Sequence, residues 1–174
     1  IISTQQEIDD FPINHPNCTE VVGNLVIRGN NITNLDGLLQ LTTVSNSLII
    51  QNCPLLVDTD GLLQLTTVGV GLVVDNCSSL DNLDGLANVT STQYLQIIFC
   101  SILDDITGLS NITSIDGSLN FAFCPMITSL SSLSNVNSGS IGYMTIREMN
   151  GLTDLIGLSG ITSASRIVIT LNTG

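Results

Sequence analysis

Short apolar triplets recur along the chain at near-constant intervals: Leu25-Val26-Ile27, Leu48-Ile49-Ile50, Leu72-Val73-Val74, Leu95-Gln96-Ile97, Leu119-Asn120-Phe121, Met144-Thr145-Ile146 and Ile167-Val168-Ile169. Their first residues lie 23, 24, 23, 24, 25 and 23 positions apart. A period of this size is the signature of stacked repeats rather than of independent helices and strands. Inside one unit the step changes. Ile32, Leu35, Leu38, Leu41 and Val44 follow at intervals of three before Leu48 and Ile50 resume an interval of two. An interval of two predicts a strand whose alternate side chains point inward, and intervals of three suit a polygonal coil that turns one apolar residue inward on each short side. Asp36-Gly37, Asp60-Gly61 and Asp84-Gly85 recur in one register, with Thr107-Gly108 and Ile156-Gly157 in later units. They read as corners that need a positive φ or close packing. The pattern predicts an all-β fold, a right-handed leucine-rich parallel β-helix (a β-solenoid) of about seven rungs of 23–25 residues. Residues 1–20 read as an irregular polar N-terminal cap and 21–174 as the solenoid, the two forming one domain.

Composition narrows the function classes. The chain has 174 residues, 43% of them hydrophobic, which is enough for one continuous core and too apolar for a disordered stalk. Three Lys and Arg stand against 15 Asp and Glu, a formal net charge of -12, so nucleic acid and anionic membrane are poor partners. No run of 18 or more apolar residues occurs, which argues against membrane insertion. The chain opens on Ile1 rather than Met, as a mature exported chain or a cut fragment would.

Function must then reside in columns that stack from unit to unit. Cys53, Cys77, Cys100 and Cys124 each follow the first strand residue of their unit by five positions, with Asn30 and Met149 in the same place in flanking units. They read as a buried thiol ladder strung along an axis, which disfavours a metal site because soft metals need ligands converging on one point. Oxidation of one adjacent pair stays open, and Cys18 stands apart as a cap thiol or a bridge to the first rungs. A second column, Thr42, Thr66, Thr90, Thr113 and Thr162, could be an ice-binding hydroxyl ladder or simply β-branched residues suited to an exposed parallel sheet. A third is the outward side of the main strands. Val26, Ile49 and Val73 continue there into Ile98, Phe99 and Phe123, a candidate contact face for a protein or glycan. Asn17, Asn31, Asn76, Asn88 and Asn111 begin Asn-x-Ser/Thr sequons and are candidate glycosylation sites. The single His15 lies between Asn14 and Pro16 with no catalytic motif beside it, and Asp36, Asp60 and Asp84 read as turn formers rather than calcium ligands or a glycosidase pair. No cofactor and no metal is expected, and no catalysis.

The opening Gln6-Glu7-Ile8-Asp9, Phe11-Pro12 and Pro16-Asn17-Cys18-Thr19, the run Gly23-Asn24-Leu25-Val26-Ile27, and the later Ile32-Thr33-Asn34-Leu35-Asp36-Gly37-Leu38 and Ser138-Gly139-Ser140-Ile141 carry a resemblance. The chain resembles the receptor L domain family, the leucine-rich β-helical module of insulin and epidermal growth factor receptor ectodomains, and more closely its secreted bacterial relatives in the Bacteroidetes. The resemblance implies an extracellular or cell-surface setting, often with a C-terminal sorting domain of the type IX secretion route, and no catalytic residues. A non-enzymatic recognition or adhesion domain is the expected function. A self-assembling surface fibre subunit is the alternative, with the end after Ile167-Val168-Ile169 expected to be covered by a following domain or by the next copy, head to tail.

Overall fold

The computed structural model describes residues 1–172. Two short helices, α1 (Gln5–Asp9) and α2 (Phe11–Asn14), open the chain. Ten strands follow: β1 (Glu20–Val21), β2 (Leu25–Ile27), β3 (Thr43–Val44), β4 (Leu48–Gln51), β5 (Thr67–Val68), β6 (Gly71–Asp75), β7 (Ser91–Ile98), β8 (Ser114–Ala122), β9 (Gly139–Arg147) and β10 (Ile161–Thr170). They form two parallel sheets. One has three strands in the order β1-β3-β5, the other seven in the order β10-β9-β8-β7-β6-β4-β2. Each strand therefore pairs with its counterpart one repeat away, and the repeat period of the sequence is the layer period of the structure. From β7 onward one long strand covers both strand positions of a unit, with a register shift between Thr92 and Tyr94 where the earlier layers break.

The expectation of an all-β, right-handed parallel β-helix is corrected by these elements. The fold is α/β, with 16% helix and two distinct parallel sheets rather than one closed β-coil. The stretches with intervals of three, which the spacing predicts to be sides of a polygonal coil, contain 3₁₀ helices: Asp36–Leu38, Asp60–Leu62, Asp84–Leu86, Thr107–Leu109, Ser131–Leu133 and Ile156–Leu158. A 3₁₀ helix has three residues per turn and eclipses i with i+3, so it also presents every third residue to one face. Each is started by a polar side chain two residues before its first N–H. Asn34, Asp58, Asn82, Asp105 and Asp154 accept through Oδ1 and Ser129 through its hydroxyl, at 2.7–3.1 Å. The glycines of this register carry no positive φ; they are required because the backbone of the preceding layer packs against them. A Cβ at Gly37 would overlap the Ile8 carbonyl, at Gly61 that of Leu35, at Gly85 that of Thr59 and at Gly108 that of Leu83. Ser132 fills the same place in the fifth unit.

Between sheets and 3₁₀ helices runs one apolar core. Ile32, Leu35, Leu38, Leu41, Val44, Leu48 and Ile50 are all fully buried, as are most of their counterparts along the stack, but in the last unit Leu155, Ile167 and Ile169 are exposed. The N-terminal cap is ordered, not irregular. Thr4 and Glu7 form a capping box on α1, the Ser3 and Thr4 amides holding the Glu7 carboxylate below its usual pKa range. Gln5 Oε1 accepts from the Thr33 and Asn34 amides, Ile8 is buried against the first unit, and Ile2 pairs with Ile27 at the β2 edge. The lid thus covers the first layer with an apolar plug and a strand-like bridge.

Candidate recognition face

Side chains of the seven-stranded sheet alternate, so Leu25 and Ile27 of the first unit point into the core and Val26 points out. Strand register carries the outward positions into straight columns. Val26, Ile49, Val73, Gln96, Asn120, Thr145 and Val168 are successive partners across the whole sheet. The column is aliphatic over β2, β4 and β6 and polar over β7, β8 and β9. On one side of it Gly71, Tyr94, Ser118, Tyr143 and Arg166 are in register, and on the other Gln51, Asp75, Ile98, Ala122, Arg147 and Thr170. Burial raises the Asp75 carboxyl above its ordinary range.

Beyond Ile98 lies a corner column with an unusual backbone. Asn52, Asn76, Phe99, Phe123, Glu148 and Leu171 all have φ between 53° and 58°. Asn accepts this left-handed conformation readily, and the first two form an amide ladder, Asn76 Nδ2 donating to Asn52 Oδ1 at 2.8 Å. A bulky side chain there is strained by about 1–3 kcal/mol, a cost that clusters at functional sites. Phe99 and Phe123 nonetheless occupy it and stack, with centroids 4.5 Å apart and planes 8° from parallel. The Arg147 guanidinium lies 5.2 Å from the Phe123 centroid. Phe99 remains 47% exposed, Tyr94 46% and Tyr143 60%.

The predicted face residues Val26, Ile49, Val73, Ile98, Phe99 and Phe123 thus sit on one surface, in three adjacent columns. Sequence reasoning missed Tyr94, Tyr143, Arg147 and Arg166. The signal was present: Tyr94 and Tyr143 immediately precede the inward Leu95 and Met144, so alternation already turned them outward.

The other columns have structural partners. Thr42, Thr66, Thr113 and Thr162 donate their hydroxyls to the carbonyls of Thr19, Thr42, Thr90 and Gly139 in the preceding layer, at 2.8–3.2 Å. The threonine track, with Thr90 exposed in its midst, staples layer to layer. Among the sequons, Asn88 and Asn111 donate through Nδ2 to the carbonyls of Leu63 and Ala87, Asn76 belongs to the amide ladder, and Asn17 and Asn31 are exposed. Asp36, Asp60 and Asp84 flank one another on the stacked 3₁₀ helices; desolvation, then repulsion from Asp58, Asp84 and Asp36, raises Asp60. His15 caps the end of α2 against Phe11. Among the described residues no group of His, Cys, Asp or Glu could hold a metal ion, and no helix is long and apolar enough to cross a membrane.

All five cysteines are free thiols. Cys53, Cys77, Cys100 and Cys124 are fully buried, each Sγ 3.4–3.5 Å from the carbonyl two residues earlier, of Gln51, Asp75, Ile98 and Ala122. The hydrogen bond with Cys53, then burial, pushes the Cys77 thiol far above its ordinary range, and Cys124 and burial do the same to Cys100. Their full burial makes all four ladder thiols packing groups. Cys18 is half-buried, bonded to the Glu20 carbonyl at 3.5 Å. Cys77→Ser is expected to cost about 1–3 kcal/mol in urea unfolding, because a hydroxyl loses more on burial than a thiol. A bulky thiol reagent should label native protein at Cys18 alone.

No known family model, no curated protein and no solved structure matches the chain.

Proposed function

We propose that this chain is a non-enzymatic recognition module of the extracellular or cell-surface space, acting through the outward face of the seven-stranded sheet. One observation carries the reading. Of the six Phe and Tyr residues in the chain, Tyr94, Phe99, Phe123 and Tyr143 gather on this face and its corner, and so do two of the three cationic side chains, Arg147 and Arg166. Aromatic and Arg side chains are the residues enriched at contact surfaces and at their energetic hot spots. Holding two Phe rings in a left-handed backbone, with Phe99 exposed, costs the fold stability, which selection for packing alone does not favour. The sequence resemblance to receptor L domains supports the extracellular setting.

Binding of purified protein to arrays of immobilised glycans and proteins tests this. The double variant Phe99→Asn/Tyr143→Ser leaves the backbone at ease, since Asn suits φ > 0 and extends the Asn52–Asn76 ladder. It should lose at least tenfold in affinity for any ligand the native protein retains, and Thr67→Ser on the three-stranded sheet should lose nothing. Full retention by the double variant contradicts the reading.

A further inference from the structure

Resting on that reading, we infer that the ligand is a polysaccharide of carboxylate-bearing sugars, its chain running across β7, β8, β9 and β10. Adjacent strands lie about 4.8 Å apart, so Tyr94 and Tyr143, two strands apart in one outward column, present rings about 10 Å from each other. That spacing suits alternate rings of an extended sugar chain, whose C–H faces stack on aromatic side chains. The Tyr94 ring is held in place: a Cβ at Gly117 would lie 2.8 Å from its Cε1, so the ring rests against the glycine backbone of the next layer. Beside the tyrosines runs the amide and hydroxyl column of Gln96, Asn120 and Thr145, the donors and acceptors that ring hydroxyls require. Asn120 Nδ2 reaches Gln96 Oε1 at 3.4 Å, and its Oδ1 is shielded from solvent with no donor, an acceptor that gains by turning toward an incoming hydroxyl.

Charge selects the sugar class. In a chain of net charge -12, Arg166 follows Tyr143 in the tyrosine column and Arg147 stands across Thr145, on the neighbouring strand. Arg147 is followed at the corner by Glu148, whereas Arg166 is exposed with no ion pair among the described residues. The acidic column of Asp36, Asp60 and Asp84 belongs to the 3₁₀ helices, and the carboxylates borne by this sheet and its corner, Asp75 on β6, Asp116 on β8 and Glu148, lie outside the register of the tyrosine column. A guanidinium beside an aromatic platform fits a carboxylate on the sugar it stacks.

Calorimetric titration with polygalacturonate, its fully methyl-esterified form and polyglutamate separates the contributions. The expected result is binding to polygalacturonate, at least tenfold weaker binding to the ester, and none to polyglutamate. Tyr143→Ala should lower affinity at least tenfold, and Arg166→Gln should bring polygalacturonate down to the level of the ester. Equal binding of polyglutamate, or equal binding of acid and ester, overturns the inference. So does silence toward polygalacturonate from a protein that retains another array ligand through the same face, which leaves the recognition reading standing. Sedimentation showing a dimer that protects both tyrosines from nitration overturns both.

Discussion

Gly61→Val is expected to destabilise the protein by at least about 3 kcal/mol, the overpacking of a close backbone contact that has no room to relax. The added Cβ would overlap the carbonyl of Leu35, and Leu35 Cβ itself would be only 2.7 Å away. Leu35 is fully buried and starts the preceding 3₁₀ helix, so relief requires two layers to part. The φ at Gly61 is not positive, so the penalty comes from layer spacing rather than from backbone strain. Ser132 shows what the register tolerates elsewhere: one small side chain, half-buried, in the fifth unit. The exposed-face control Gln96→Thr should stay within about 0.5 kcal/mol. Urea midpoints of the two variants check the contrast, and equal midpoints would contradict the packed glycine register.

Phe121→Ala should cost about 3–5 kcal/mol, the range for emptying a large buried aromatic site. Phe121 is the largest fully buried side chain, inward-facing on β8 between Ile97 and Ile146 in the flanking strands. Neighbours above and below are fixed by ladder hydrogen bonds, which limits collapse into the cavity. Ile97→Val in the adjacent layer removes one methyl group and should cost only about 0.5–1.5 kcal/mol. If the two variants unfold at the same urea concentration, the inward assignment of this column is wrong.

The core was legible in the sequence because burial follows spacing: the residues at steps of two and three are the buried ones, except in the last unit, where Leu155, Ile167 and Ile169 are exposed on the terminal layer. The element type was not, because a step of three is shared by a flat coil side and by a 3₁₀ helix, and only the Asx acceptors at Asn34, Asp58, Asn82, Asp105 and Asp154 separate them. The cap helices were half legible: Thr4-Gln5-Gln6-Glu7 is a capping-box pattern, while Pro12 and Pro16 suggest irregular chain, although Pro12 is accommodated in the first turn of α2. At the face, alternation revealed Val26, Ile49 and Val73 because they continue an aliphatic triplet. The corner was half legible. Asn52 and Asn76 announce a left-handed column, but nothing local in the sequence says that Phe99 and Phe123 share it, since Phe has no preference for that conformation.

The face offers its own reporter. The chain has no Trp and two Tyr, and both tyrosines stand on the outward side of the seven-stranded sheet. Intrinsic tyrosine fluorescence therefore reads this surface and little else. Titrating the protein with a ligand retained in the array should change that emission along the same isotherm as calorimetry, with Tyr94 and Tyr143 shielded from iodide quenching at saturation. Binding that saturates by calorimetry while both tyrosines keep their emission and their full quenching would place the contact elsewhere and contradict the account.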